Sequence, residues 1–120
     1  THVLVIPWLK QGGADRGILY HAQAILESTE ENRLLLLGTE PGDSPWASRL
    51  PSSAVYVSLG NIVERLSLDD QARVLVRLLV QQRPRVIHVV NSRVGWEVVR
   101  QYGLALRQHS ALYASLWCGD

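Results

Sequence analysis

The sequence predicts an α/β domain built on a parallel five-stranded sheet with helices on both faces. Three observations predict it. Short apolar runs of strand length alternate with longer stretches of helical apolar spacing from one end of the chain to the other. Two of those runs, Val3 to Ile6 and Leu34 to Leu37, contain no polar residue, as expected of strands buried on both faces. The 120 residues, 47% hydrophobic and 19% charged, suffice for one domain with one real core.

The first strand is His2 to Pro7, closed by its proline. Trp8 to Gly13 is a loop ending in the Gly12-Gly13 pair, which marks a tight turn. From Ala14 to Ser28 the residues Ile18, Ala22, Ile25 and Leu26 recur at helical spacing. Arg33 to Gly38 holds four consecutive leucines; leucine suits helices, but the short length and the closing glycine favour a buried strand. Thr39 to Ser53 has the Pro-rich, small and polar composition of a loop, and Ala54 to Leu59 alternates as a third strand.

Ser67 caps the next helix, with Asp69 and Asp70 in the first turn, where the helix dipole favours anions. Its apolar stripe is Leu68, Ala72, Leu75 and Leu79, widened by Val76 and Val80, and Pro84 ends it. Arg85 to Val90 is the fourth strand. Asn91 or Ser92 starts a helix that runs to about Gln108 and buries Val94, Val98, Val99, Tyr102 and Leu106. Ala111 to Trp117 is the fifth strand. Right-handed crossovers then favour the order 3-2-1-4-5, a Rossmann-like three-layer α/β/α sandwich.

The bulk numbers exclude several function classes. A net charge of +1 gives no global field for nucleic acid. The basic residues are all arginine except Lys10, and they are scattered as on solvated helix faces. Cys118 is the single cysteine, so no internal disulfide can form; a lone thiol and no signal-peptide pattern suit a cytoplasmic setting. No apolar run approaches a membrane span. The chain enters a strand at residue 2, contains no Met and stops directly after an apolar strand. Both ends read as domain boundaries within a longer protein.

In open α/β sheets ligands collect beyond the carboxyl ends of the strands, where the strand order reverses. That point lies between the first and fourth strands, where the loop from Trp8 to Gly13 meets Asn91, Ser92 and Arg93. Gly12 and Gly13 open a helix whose free N–H groups suit a phosphate, or else they simply make a strand-to-helix turn. Their pattern, Gly-Gly-x-x-x-Gly, is not the dinucleotide fingerprint, so Glu40 after the second strand reads as a polar loop residue rather than a ribose ligand. Asn91 and Ser92 serve as caps without any ligand, whereas Arg93 projects from the end of a central strand. Trp46 either stacks on a sugar ring or pins its loop to the domain. His21 faces the cleft or the solvent, and His88, inside a strand, reads as a satisfied core histidine. No His, Cys or acidic pair has metal-ligand spacing, which predicts no metal and no cofactor.

The stretch Val5-Ile6-Pro7-Trp8-Leu9-Lys10-Gln11-Gly12-Gly13-Ala14-Asp15-Arg16, with its following helix, resembles the opening of retaining GT-B glycosyltransferases of family 4. The segment from Pro84 to Ser92 looks like their fourth strand and its turn. The likeness runs in order along the whole chain and covers the amino-terminal half of such an enzyme. It implies an acceptor-binding half that works with a carboxyl-terminal nucleotide-binding domain on a nucleotide sugar and a saccharide or lipid-linked acceptor, cytoplasmic or peripheral to the membrane. Gly12 and Gly13 would approach the donor diphosphate; Asn91, Ser92 and Arg93 would line the acceptor side, with Lys10 and Trp46 at the rim. The family's E-x7-E motif belongs to the other half, and Glu64 is followed at position 72 by Ala. No catalytic base is assigned to this half, and the fragment alone is expected to be inactive.

Two alternatives stand beside it. A flavodoxin-like small-ligand module shares the fold, although the acids that a phosphorylated receiver needs are missing from the ends of the first and third strands. A nucleotide oxidoreductase domain would rest on Glu40 and the parallel sheet. Fold does not separate these chemistries.

Overall fold

The computed structural model describes residues 2–9, 13–28 and 33–115, excepting the side chains of 13–15 and 28. Five strands form one parallel sheet: β1 (His2–Ile6), β2 (Leu34–Gly38), β3 (Ala54–Ser58), β4 (Val86–Val90) and β5 (Ala111–Ser115). Their order is β3-β2-β1-β4-β5, as the alternation and the crossover rule predict. The helices are α1 (Gly13–Ser28), α2 (Leu59–Val63), α3 (Leu68–Gln82) and α4 (Arg93–Arg107).

Side chains on a strand alternate between faces, and β1 uses both. Val3 and Val5 enter one core with Leu37, Ile87 and Val89, closed by α3 and α4 through Leu75, Leu79, Val94, Val98 and Leu106. Leu4 and Ile6 enter the other with Leu34, Leu36 and Val90, closed by α1 through Ile18, Ala22 and Ile25. The chain steps outward from β1 through β2 to β3, then returns and steps the other way through β4 to β5. With one crossover hand, the connections for the two directions must lie on opposite faces. The connection from β2 to β3 has no α-helix. Its 3-10 turn, Pro45–Arg49, lies on the α1 face, where Trp46, Ala47 and Leu50 pack against the core.

Ser67 caps α3 by accepting a hydrogen bond from the Asp70 N–H, and Arg83 ends it in the left-handed conformation (φ 48°), ahead of Pro84. Ser92 rather than Asn91 caps α4. Val80 lies on the outer side of α3 and is 60% exposed, so the buried stripe is narrower than its apolar spacing suggests. The third strand stops at Ser58, not Leu59: Leu59 opens α2, a short helix absent from the sequence expectation, and is buried with Val63. Residues 116 and 117 of the expected fifth strand lie outside the described residues. Among the described residues no helix is long and apolar enough to cross a membrane.

Candidate functional site

The carboxyl ends of β1, β2 and β4 come together where the strand order reverses. After β2 the chain stays locked to the chain after β1: the Thr39 N–H donates to the Ile6 carbonyl (2.8 Å) and the Glu40 N–H to the Pro7 carbonyl (3.0 Å). The Thr39 hydroxyl also donates to the Ile6 carbonyl (3.2 Å) and lies 2.5 Å from the Ser92 hydroxyl. Since the Thr39 proton is used on Ile6, Ser92 donates to Thr39. Ser92 in turn accepts from the Gly95 N–H at 2.9 Å, capping α4. Thr39 and Ser92 are both buried, so this three-point network satisfies hydroxyls that would otherwise be costly to bury.

Above that buried tie, Arg93 Nε meets Glu40 Oε1 at 3.3 Å. The pair bridges the ends of β4 and β2, the two strands that flank β1. Arg93 keeps 59% of its side chain exposed, against 21% for Glu40. The guanidinium therefore offers N–H donors at the mouth of the cleft while Glu40 holds its position.

The loop after β2 is held by further bonds. The Leu9 N–H donates to the Ser44 hydroxyl (3.1 Å), which also pairs with the Tyr56 hydroxyl (2.7 Å). Gly38 makes room for that phenol, since a Cβ there would fall 2.0 Å from the Tyr56 oxygen. The Trp46 N–H donates to the Leu9 carbonyl at 3.0 Å. Asn61 on α2 brackets Gly42, accepting from its N–H (2.8 Å) and donating to its carbonyl (3.1 Å). Gly60 lies against the Glu40 backbone, where an added Cβ would come within 2.3 Å.

The expected site residues are divided by this geometry. Gly13 is the first residue of α1, and Lys10 and Gly12 lie outside the described residues. Asn91 sits between β4 and α4 in the left-handed conformation (φ 56°), its N–H donating to the Ser115 carbonyl at 3.2 Å. Ser92 points inward and has no exposed surface. Trp46 is half-buried against the core, and the Arg49 guanidinium lies 4.2 Å from its ring centroid. Among the expected site residues whose side chains are described, Arg93 is the exposed one. The sequence reading missed Thr39 as its buried support and Glu40 as its partner; their only signal was a Thr-Glu pair directly after a strand.

His21 and His88 belong elsewhere. His88 points to the α1 face of the sheet, its Nε2 2.8 Å from the Ser115 hydroxyl and its Nδ1 3.4 Å from Nε2 of His21. His88 is thus satisfied within the fold. His21 faces the sheet rather than the cleft or open solvent. Burial holds both rings below the ordinary imidazole value, with the His21 charge adding to the effect on His88. Among the described residues no group of three His, Cys, Asp or Glu side chains is arranged to hold a metal ion. An apolar groove of about 660 Å3 lies between the carboxyl ends of α3 and α4, lined by Val76, Leu79, Tyr102 and Leu106. It borders Pro84 and Ser110, at the opposite end of the sheet from the cleft. Comparison with protein families, with curated proteins and with solved structures finds no match to this chain.

Proposed function

We propose that this chain is the acceptor-binding half of a retaining glycosyltransferase of the GT-B kind. In this reading it works with a carboxyl-terminal nucleotide-binding domain to move a sugar from a nucleotide-sugar donor to a saccharide or lipid-linked acceptor. The observation that carries it is topological: α1, which begins at Gly13, follows β1, and the exposed Arg93 follows β4, the strand beside β1 at the reversal of strand order. A helix start and an exposed guanidinium at the carboxyl ends of adjacent strands suit a substrate that carries negative charge. Transfer from a nucleoside diphosphate leaves charge on the departing phosphates, and stabilising that charge is the main task of such a site. Gly13 and Gly12 would approach the diphosphate through their backbone. Arg93, held by Glu40, would orient the acceptor, with Lys10 and Trp46 at the rim and Asn91 and Ser92 shaping the wall.

The test uses the full-length protein from its native source. Its mass is measured first; then nucleoside diphosphate release is followed with UDP-, GDP- and ADP-hexoses, with and without sugar acceptors. The expected result is release from one donor class, cut about 100-fold or more by Gly13→Asp, which sets a carboxylate against the phosphates. No release from any donor in a protein of about this chain's 13.4 kDa would replace the enzyme by a small-ligand binding module.

A further inference from the structure

Three histidines distant in sequence meet between α1 and the sheet. His2 on β1 and His88 on β4 point to the same face, and His21 descends onto them from α1. The His21 ring centroid lies 5.3 Å from that of His88 and 6.4 Å from that of His2, with both contacts edge-on. The His88 Nδ1 and His21 Nε2 atoms are 3.4 Å apart, so one ring donates and the other accepts. That bond needs a neutral acceptor nitrogen, and protonating both rings removes it. His2 Nε2 is buried with no hydrogen-bond partner, so no acceptor stands ready for a proton gained there.

The surroundings of the cluster are these. From β1, Leu4 stands beside His88 in the sheet register. From β5, Ser115 bonds His88 and the Tyr113 ring lies 6.2 Å from it. His2 feels the charges of His21 and of His88, both of which oppose its protonation. Burial is the larger effect, and together they push His2 down to about 4.

We propose that this cluster makes α1 an acid-released element: protonation of His21 and His88 undocks α1 from the sheet while the α3–α4 side stays folded. The two faces differ in the way this requires. On one, α3 and α4 pack on each other and share a large core with β1, β2 and β4. On the other, α1 stands beside a 3-10 turn over the smaller core. Docked α1 favours neutral rings, whereas undocked α1 leaves all three histidines to bind protons at ordinary affinity. Docking is therefore complete above the ordinary imidazole value of 6.5 and weakens as the pH falls below it; the part that His2 contributes ends near 4, where His2 is protonated even when docked. Each proton taken up on release changes the docking equilibrium by about tenfold per pH unit within that window. Because α1 begins at Gly13, the same release would dismantle the proposed donor-facing turn. That consequence rests on the glycosyltransferase reading, and the release itself does not.

Amide hydrogen exchange of the intact protein between pH 7 and pH 5, corrected for the chemical exchange rate, tests this directly. Protection of α1 is expected to fall below 6.5, by about tenfold per pH unit for each ring whose proton uptake drives release, with α3 and α4 unchanged. The double variant His21→Gln and His88→Gln should reduce that dependence to the part that His2 supplies. Equal loss over α1 and α3, full protection of α1 at pH 5, or an unchanged slope in the double variant overturns the proposal. Should the variant not fold, NMR titration of the wild-type imidazoles decides: His21 and His88 must both titrate below 6.5, and a value at or above it overturns the proposal. Neither readout involves nucleotide sugars, so failure of the functional reading leaves this result intact.

Discussion

Two glycines on α4 should respond to alanine with opposite signs. Gly95 lies in the first turn of the helix, where α4 presses on the sheet. A Cβ there would lie 2.6 Å from Cγ1 of Val89, 3.1 Å from Cγ1 of Val5 and 3.1 Å from the capping Ser92 hydroxyl. Val5 and Val89 are fully or almost fully buried, and β-branched side chains on paired central strands cannot swing aside. Gly103 lies two turns further on, where the nearest atoms to an added Cβ, on Leu112 and Val99, are 3.8 Å away in ordinary contact. Replacing glycine by alanine within a helix gains about 0.5–1 kcal/mol, and Gly103→Ala should keep that gain. Overpacking at a closed site costs about 1–3 kcal/mol, so Gly95→Ala should lose about 1–2 kcal/mol net. Thermal unfolding reads the difference, at about 4 °C in Tm per kcal/mol for a domain of this size. A rise in Tm for Gly95→Ala, or changes of the same sign at both positions, would refute the packing derived for the start of α4.

Three other outcomes follow from the site and its surroundings. Ser92→Ala removes the α4 cap and the donor to Thr39 from a fully buried position; a loss of about 1–3 kcal/mol is expected by urea denaturation. Arg93→Ala breaks an exposed pair, so stability should move by less than about 1 kcal/mol. On the glycosyltransferase reading, the same change in the full-length protein should raise KM about tenfold for whichever substrate Arg93 holds, and an unchanged KM removes Arg93 from the site. On α4, the Arg100 and Gln101 side chains bond the Glu97 carboxylate and hold it down to about 2. Arg100→Ala should return most of that shift towards the ordinary value of 4.5 in an NMR titration. Such a depressed carboxylate favours the fold above 4.5 and loses the benefit as the pH falls through about 2, but a pair within one helix whose Arg100 partner is 69% exposed should leave Tm nearly unchanged.

The sequence by itself determined the elements whose signal is local. Val3 to Ile6 and the four leucines from Leu34 are strands because an unbroken apolar run of that length needs cover on both faces. The stripes of α1, α3 and α4 follow from helical period, and the strand order follows once the crossover hand is fixed. The cap at Ser67 was legible, and the next was narrowed to Asn91 or Ser92, because a short polar side chain ahead of an apolar-periodic stretch has few other uses there.

Tertiary structure alone decided the rest. Leu59 fitted the alternation of β3, yet it turns into α2, where Gly60 meets the Glu40 backbone and Asn61 brackets Gly42. The Arg93–Glu40 and Ser92–Thr39 contacts each join residues 53 apart, and His21 meets His88 across 67. Periodicity records which face a residue occupies, because that depends on its neighbours along the chain. Which side chain waits on the opposing element depends on how the sheet twists and where each helix crosses it, and one sequence without its fold carries no term for that.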